Sequence, residues 1–194
     1  MTHVKAMGRP IREPWAVFGE EGRMKTARAS RTKKFSRKRR FGRAQWDHQL
    51  DPYKPVRKSA EPAACPQCGA VLHEGRWQWG KRAEGAQDVL CSACHRTKDR
   101  FPAGIVTLAG PFVAQHKAEM LRIARNQEQE ARRDHPFNRI MSVSEAPDEL
   151  VISTTDTHLP SRIGKAIKRA FRGTLQIHFD ENAYFVRANW HREA

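Results

Sequence analysis

Two Cys-x-x-Cys pairs constrain this chain most: Cys65-Pro66-Gln67-Cys68 and Cys91-Ser92-Ala93-Cys94. They use all 4 cysteines of the protein, and 22 residues separate them. That is slightly above the usual interval for such a signature, and it leaves room for a strand to go out and return. A Cys-x-x-Cys turn aims two thiolates at one point, and two such turns face to face form a tetrahedral sulfur cage. Zn2+ matches that geometry best. The competing reading is a redox dithiol, which calls for one pair at a helix N-terminus instead of two matched pairs. His73 and His95 are substitute ligands in principle, but four sulfurs already fill the tetrahedron. A filled shell has no open position for water, so no zinc catalysis is expected.

Charge divides the chain of 194 residues unequally. Residues 1–60 hold 17 Lys/Arg against 5 Asp/Glu, whereas the remaining 134 residues hold 19 against 16. The basicity thus belongs to an N-terminal arm, rich also in Gly and Pro and without a hydrophobic period, which reads as largely disordered. From Arg23 to Arg43 there are 11 basic residues and no acid. Among them, Arg31, Lys33, Lys34, Arg37, Lys38, Arg39, Arg40 and Arg43 are the candidate phosphate contacts, since neutralising phosphates releases counterions. Interspersed aromatics such as Phe35, Phe41, Trp46 and Tyr53 suit stacking on unpaired bases. The bland alternative is a solvated tail. No amphipathic stripe accompanies the charge, and no apolar run approaches the roughly 20 residues of a membrane span. The expectation is a soluble, cytoplasmic protein with no membrane partner, in a reducing compartment where thiols bind metal instead of pairing.

Residues 61–108 read as the zinc ribbon. Val71–His73 and Arg76–Trp79 are short strands about a Glu74-Gly75 turn, and Gly69 sits where a knuckle turn needs positive φ. So small a core draws most of its folding free energy from the metal. Residues 109–194 read as a separate α/β unit. A helix from Pro111 to about Arg133 is followed by strands near Arg139–Glu145 and Leu150–Thr154. A second helix spans about His158 to Arg172, and alternating strands begin at Leu175 and Tyr184. The fold class is therefore α+β: a four-cysteine zinc ribbon, then a small antiparallel sheet with two helices in the order α-ββ-α-ββ, both helices on one face.

The second helix turns Leu159, Ile163, Ala166, Ile167 and Phe171 one way and Arg162, Lys165, Lys168, Arg169 and Arg172 the other. The cations are either a phosphate-contacting face or an ordinary solvated one. Gly164 would let a partner backbone approach. Thr154-Thr155-Asp156-Thr157-His158 offers groups for acid–base chemistry, but its place at a helix start suits capping. Trp77, Trp79 and Trp190 either stack on bases or belong to the core. Nucleotide-binding glycine loops and local nucleophile signatures are missing from the sequence, so no enzyme is expected.

Cys65-Pro-Gln-Cys-Gly, Arg76-Trp-Gln-Trp, Cys91-Ser-Ala-Cys-His-Arg, Pro102-Ala-Gly and Thr154-Thr-Asp-Thr-His-Leu-Pro-Ser-Arg-Ile-Gly-Lys-Ala together resemble a family of small uncharacterised bacterial zinc-ribbon proteins. The likeness spans most of residues 60–191. More distantly, the pattern looks like the archaeal and eukaryotic adaptor for assembly and export of the large ribosomal subunit. That adaptor has more cysteines and further domains. The resemblance implies Cys65, Cys68, Cys91 and Cys94 on zinc, Arg162, Lys165 and Lys168 towards RNA, and a ribosome or structured RNA as partner. The resulting expectation is a non-enzymatic, zinc-stabilised nucleic-acid-binding protein, associated with RNA or the ribosome, with DNA still open. The alternative is a protein-interaction adaptor whose basic tail binds acidic protein surfaces. A hydrolase built on Asp156 and His158 is a minor third reading.

Overall fold

The computed structural model describes residues 51–54 and 61–193. The cysteines lie in a turn of a four-stranded sheet and at the start of a short helix. Its strands are β1 (Ala63–Ala64), β2 (Val71–His73), β3 (Arg76–Gln78) and β4 (Gln87–Asp88), in the order β3-β2-β1-β4. The expected β2–β3 hairpin is present, with Leu72 opposite Trp77. Helix α1 (Ser92–Asp99) follows. Its eight residues, Ser-Ala-Cys-His-Arg-Thr-Lys-Asp, carry no apolar stripe that would mark a helix in the sequence; the helix is anchored by the buried Ala93, Cys94 and Arg96.

The second sheet has five strands: β5 (Gly104–Ala109), β6 (Ile140–Ala146), β7 (Glu149–Thr154), β8 (Thr174–Phe179) and β9 (Val186–His191), in the order β6-β7-β5-β9-β8. This corrects the expected four-stranded antiparallel sheet in two respects. Residues 104–108, assigned to the ribbon, belong to the central strand, and β5 runs parallel to β9. The element order is β-α-ββ-α-ββ. Gly-Ile-Val-Thr-Leu-Ala lacks a polar–apolar alternation because a central strand meets neighbours on both edges and is half covered even on its open face, so all its positions tolerate apolar residues.

Helices α2 (Pro111–Asp134) and α3 (His158–Phe171) cover one face, as expected. Pro111 occupies the first turn of α2, where the missing N–H costs nothing. Val106 and Leu108 of β5, Leu150 and Ile152 of β7, and Ala188 and Trp190 of β9 meet Val113, Met120 and Ala124 of α2 and Leu159, Ile163 and Ile167 of α3 in one core. Burying each large side chain is worth roughly 1.5–3 kcal/mol. Gly164, read as an approach point for a partner, faces inward instead. A Cβ there would lie 2.9 Å from Leu175 Cδ1 and 3.5 Å from Ala188 Cβ, so the glycine lets α3 sit close to β8 and β9. The other sheet face carries exposed Gln176, His178, Arg187, Asn189 and His191.

The cysteine module and the helix–sheet body fall within one compact unit. Asp51–Lys54, grouped with the arm by composition, also join it. The Tyr53 hydroxyl donates to Asp99 Oδ2 at 2.9 Å, and Ser92 Oγ donates to the Tyr53 carbonyl at 3.0 Å. Asp51 pairs with the guanidinium of Arg96, which is 1% exposed and lies 4.5 Å over the Tyr53 ring.

Candidate metal centre and charged surfaces

The first knuckle is shaped by its backbone. Cys65 N–H donates to the Ala70 carbonyl at 2.8 Å, and Gly69 N–H donates back to the Cys65 carbonyl at 2.9 Å. Gly69 has φ +76°, the left-handed turn its position called for. The second pair opens α1: Cys91 is its N-cap, and Cys94 lies in its first turn. A pair at a helix N-terminus is therefore present, contrary to the criterion set against a redox dithiol. The placement of the sulfurs favours a metal all the same. Cys65, Cys68, Cys91 and Cys94 bring their four Sγ atoms within 4.8 Å of one another, and none is in a disulfide. Cys68 Sγ and Cys91 Sγ are 3.7 Å apart. A tetrahedron with metal–sulfur bonds of about 2.3 Å has sulfur–sulfur edges of about 3.8 Å, so the donors fit a tetrahedral thiophilic ion.

Burial pushes the Cys91 thiol up; a backbone hydrogen bond at Cys94 opposes it, and the neighbouring Cys68, Cys94 and Cys65 sulfurs push the same way as burial. Burial likewise pushes Cys94 up, although Arg139 pulls the other way. Burial would raise Cys68 too, but the Ala70 backbone and the Arg139 guanidinium outweigh it and lower that thiol to about 7. Arg139 precedes β6 and reaches across from the sheet body. Its Nη1 lies 3.3 Å from Cys94 Sγ and its Nη2 4.0 Å from Cys91 Sγ. Phe137 and Trp77 cover the cluster, with ring centroids 6.2 Å apart. Nothing in the local sequence marks Arg139. It lies 45 residues from Cys94, and no motif spacing connects the two.

The other predicted residues fall into two groups. Arg31, Lys33, Lys34, Arg37, Lys38, Arg39, Arg40 and Arg43 lie outside the described residues. Arg162, Lys165, Lys168, Arg169 and Arg172 are all exposed, on or just past α3, while Leu159, Ile163, Ala166 and Ile167 of that helix are buried. Arg162 Nη2 is 3.7 Å from Glu130 Oε2 of α2.

The Thr154–His158 run serves as a cap. Asp156 accepts the backbone N–H of His158 at 2.9 Å and that of Leu159 at 3.3 Å. Thr154 Oγ1 donates to the Asp156 carbonyl at 2.8 Å, and Thr155 Oγ1 accepts the Arg139 N–H at 3.1 Å. The N-terminus of α3 thus already holds its own carboxylate. Among the described residues no helix is long and apolar enough to cross a membrane.

No family model matches this chain, and no curated protein or solved structure matches it either.

Proposed function

We propose that Cys65, Cys68, Cys91 and Cys94 hold one Zn2+ as a structural ribbon, and that the protein is a non-enzymatic, cytoplasmic nucleic-acid-binding protein of RNA or the ribosome. Four thiolates would complete the zinc shell, so the ion supplies rigidity and not a reactive water. The resemblance to ribosomal-subunit adaptors points the same way.

One observation carries the nucleic-acid reading. The fold buries Leu159, Ile163 and Ile167 and leaves Arg162, Lys165, Lys168, Arg169 and Arg172 outward, in a stretch from Leu159 to Gly173 that has no acid. The cation-rich residues 23–43 add the larger charge. In this reading the arm drives encounter and the folded body recognises shape.

The test is binding of a labelled RNA to the full chain across a salt series. Log affinity falls linearly with log salt, by about 0.7–0.9 per phosphate neutralised. Deleting residues 23–43 weakens binding and flattens the slope; an unchanged slope refutes the role of the arm. A purified protein without nuclease-sensitive absorbance at 260 nm, and without measurable RNA or DNA affinity, would favour an adaptor for acidic protein surfaces instead.

A further inference from the structure

Three tryptophans were candidates for base stacking, and the fold treats them differently. Trp190 is 1% exposed in the core, where its indole N–H donates to the Arg172 carbonyl at 2.7 Å. Trp77 packs on Phe137 beside the sulfurs. Trp79 is 37% exposed, yet its ring is held: the indole N–H donates to the Arg132 carbonyl of α2 at 2.6 Å. An exposed indole tethered by its edge presents a fixed apolar plane.

The surroundings of that plane are cationic. Trp79 borders an open depression of about 610 Å³ lined by Arg125, Glu128, Gln129, Arg132 and Arg133. Arg125 and Arg132 are seven residues apart, two turns along one side of α2, and Arg122 continues the stripe one turn earlier. The single acid of the lining is engaged elsewhere, for Glu128 Oε1 accepts the Ile140 N–H at 2.8 Å. The guanidinium carbons of Arg132 and Arg139 lie 5.2 and 5.9 Å from the Trp79 ring centroid. The open depression has ample room for a nucleotide, and the charge suits an anion on either side of the indole.

We infer that this depression is a nucleotide subsite for single-stranded nucleic acid, in which Trp79 stacks a base and Arg125, Arg132 and Arg133 neutralise the flanking phosphates. The inference rests on the nucleic-acid reading above and adds a defined place for one unpaired base. A duplex offers phosphates to the arginines but no free base face to the indole, so the site discriminates strandedness. The Arg132 guanidinium lies over the indole in the free chain, so base stacking requires it to swing off the ring towards the flanking phosphate.

The experiment compares the metal-loaded full chain with variants by fluorescence anisotropy, using a labelled uridine 12-mer and an RNA duplex of equal length. Trp79→Ala should weaken single-strand binding by about five- to hundredfold, the range of one lost base–aromatic stack, and leave duplex binding nearly unchanged. Trp79→Phe should keep most of the affinity. Arg125→Ala with Arg133→Ala should weaken both ligands and lower the salt slope by about 1–2. Metal content and circular dichroism serve as fold controls. If Trp79→Ala fails them, the comparison of Arg125→Glu plus Arg133→Glu with the parent decides, and unchanged affinity overturns the subsite. Equal losses for single strand and duplex in Trp79→Ala, or no loss at all, overturn it as well. A parent chain that binds neither ligand sinks the nucleic-acid reading together with the subsite. A parent that binds while the pocket variants are indifferent sinks the subsite alone.

Discussion

Arg139 places its Nη1 3.3 Å from the sulfur of Cys94, so a residue of the sheet body lies against the cysteine cluster. The guanidinium is held from behind as well: its Nε donates to the Pro136 carbonyl at 2.6 Å, and its backbone N–H donates to Thr155 Oγ1 at 3.1 Å. Four thiolates around a divalent ion leave net negative charge, and a fixed cation beside them offsets part of it. Hydrogen bonding to Cys68 and Cys94 in turn holds the guanidinium protonated, above its ordinary value, in spite of burial. The cysteine cluster is therefore contacted by a side chain from outside its own sheet and helix.

Arg139→Gln should lower metal affinity by about 10- to 100-fold, the usual effect of losing a group that supports metal ligands. Arg139→Lys should fall between the two, because it keeps the charge and loses the fork. Competition with a chromophoric chelator measures this, and equal affinities would show that the guanidinium is a bystander. Metal analysis of the parent chain should find one zinc, and Cys94→Ser should lose it.

Asp51→Ala should destabilise the protein by about 3–5 kcal/mol, the usual loss when a buried ion pair is left with one member. Arg96 is 1% exposed and its partner Asp51 16%. The same guanidinium also lies 5.2 Å over the Tyr184 ring. Replacing both residues by apolar ones of similar volume should cost markedly less. Urea unfolding of the single and double variants separates an unpaired charge from lost packing.

Gly104→Ala should cost about 1–3 kcal/mol by overpacking. A Cβ at this first residue of β5 would lie 2.4 Å from Pro160 Cγ and 3.1 Å from Thr154 Oγ1. Pro160 is a rigid ring at the start of α3, so it yields less readily than a flexible side chain. The midpoint of urea unfolding should fall while the metal content stays at the parent level.

Asp156→Asn should change how stability depends on pH. Burial pushes the Asp156 carboxyl up, against hydrogen bonds from the His158 and Leu159 backbone and the charges of His158 and His135. Between its unfolded value of about 3.9 and its raised folded value, the folded chain holds more proton than the unfolded one. This carboxyl therefore contributes stability below that window and loses it as pH rises through the window. Asparagine caps a helix about as well and does not ionise, so the variant should gain on the parent as pH rises, then hold a constant lead. Asp156→Ala, which removes the cap, should cost about 1 kcal/mol. Urea titrations of the metal-loaded proteins at several pH values test both, and parallel pH curves for parent and Asp156→Asn would overturn the assignment.

The elements with strong local signals were legible in the chain. Phe112, Val113, Met120, Ile123 and Ala124 fall on one side of a helix because helical periodicity depends on neighbours three and four residues away. Leu175, Ile177 and Phe179 alternate because strand periodicity depends on neighbours two away. Glu128 shows where this logic stops. Its spacing suggests a pair with Arg132, but its carboxylate instead accepts the Ile140 N–H at 2.8 Å. The backbone donor at the head of β6 comes near only after the chain has turned at Pro136.

The sequence alone determined the two cysteine pairs, the two long helices, the hairpins and the concentration of charge towards the N-terminus, since each is a matter of residue type and short spacing. Tertiary structure alone decided that residues 104–109 form the central strand, that β5 and β9 run parallel, that Arg139 reaches the sulfurs and that Trp79 stays exposed while Trp190 does not. Those outcomes depend on which surfaces meet after chain segments far apart in sequence pack together, and no local period encodes that.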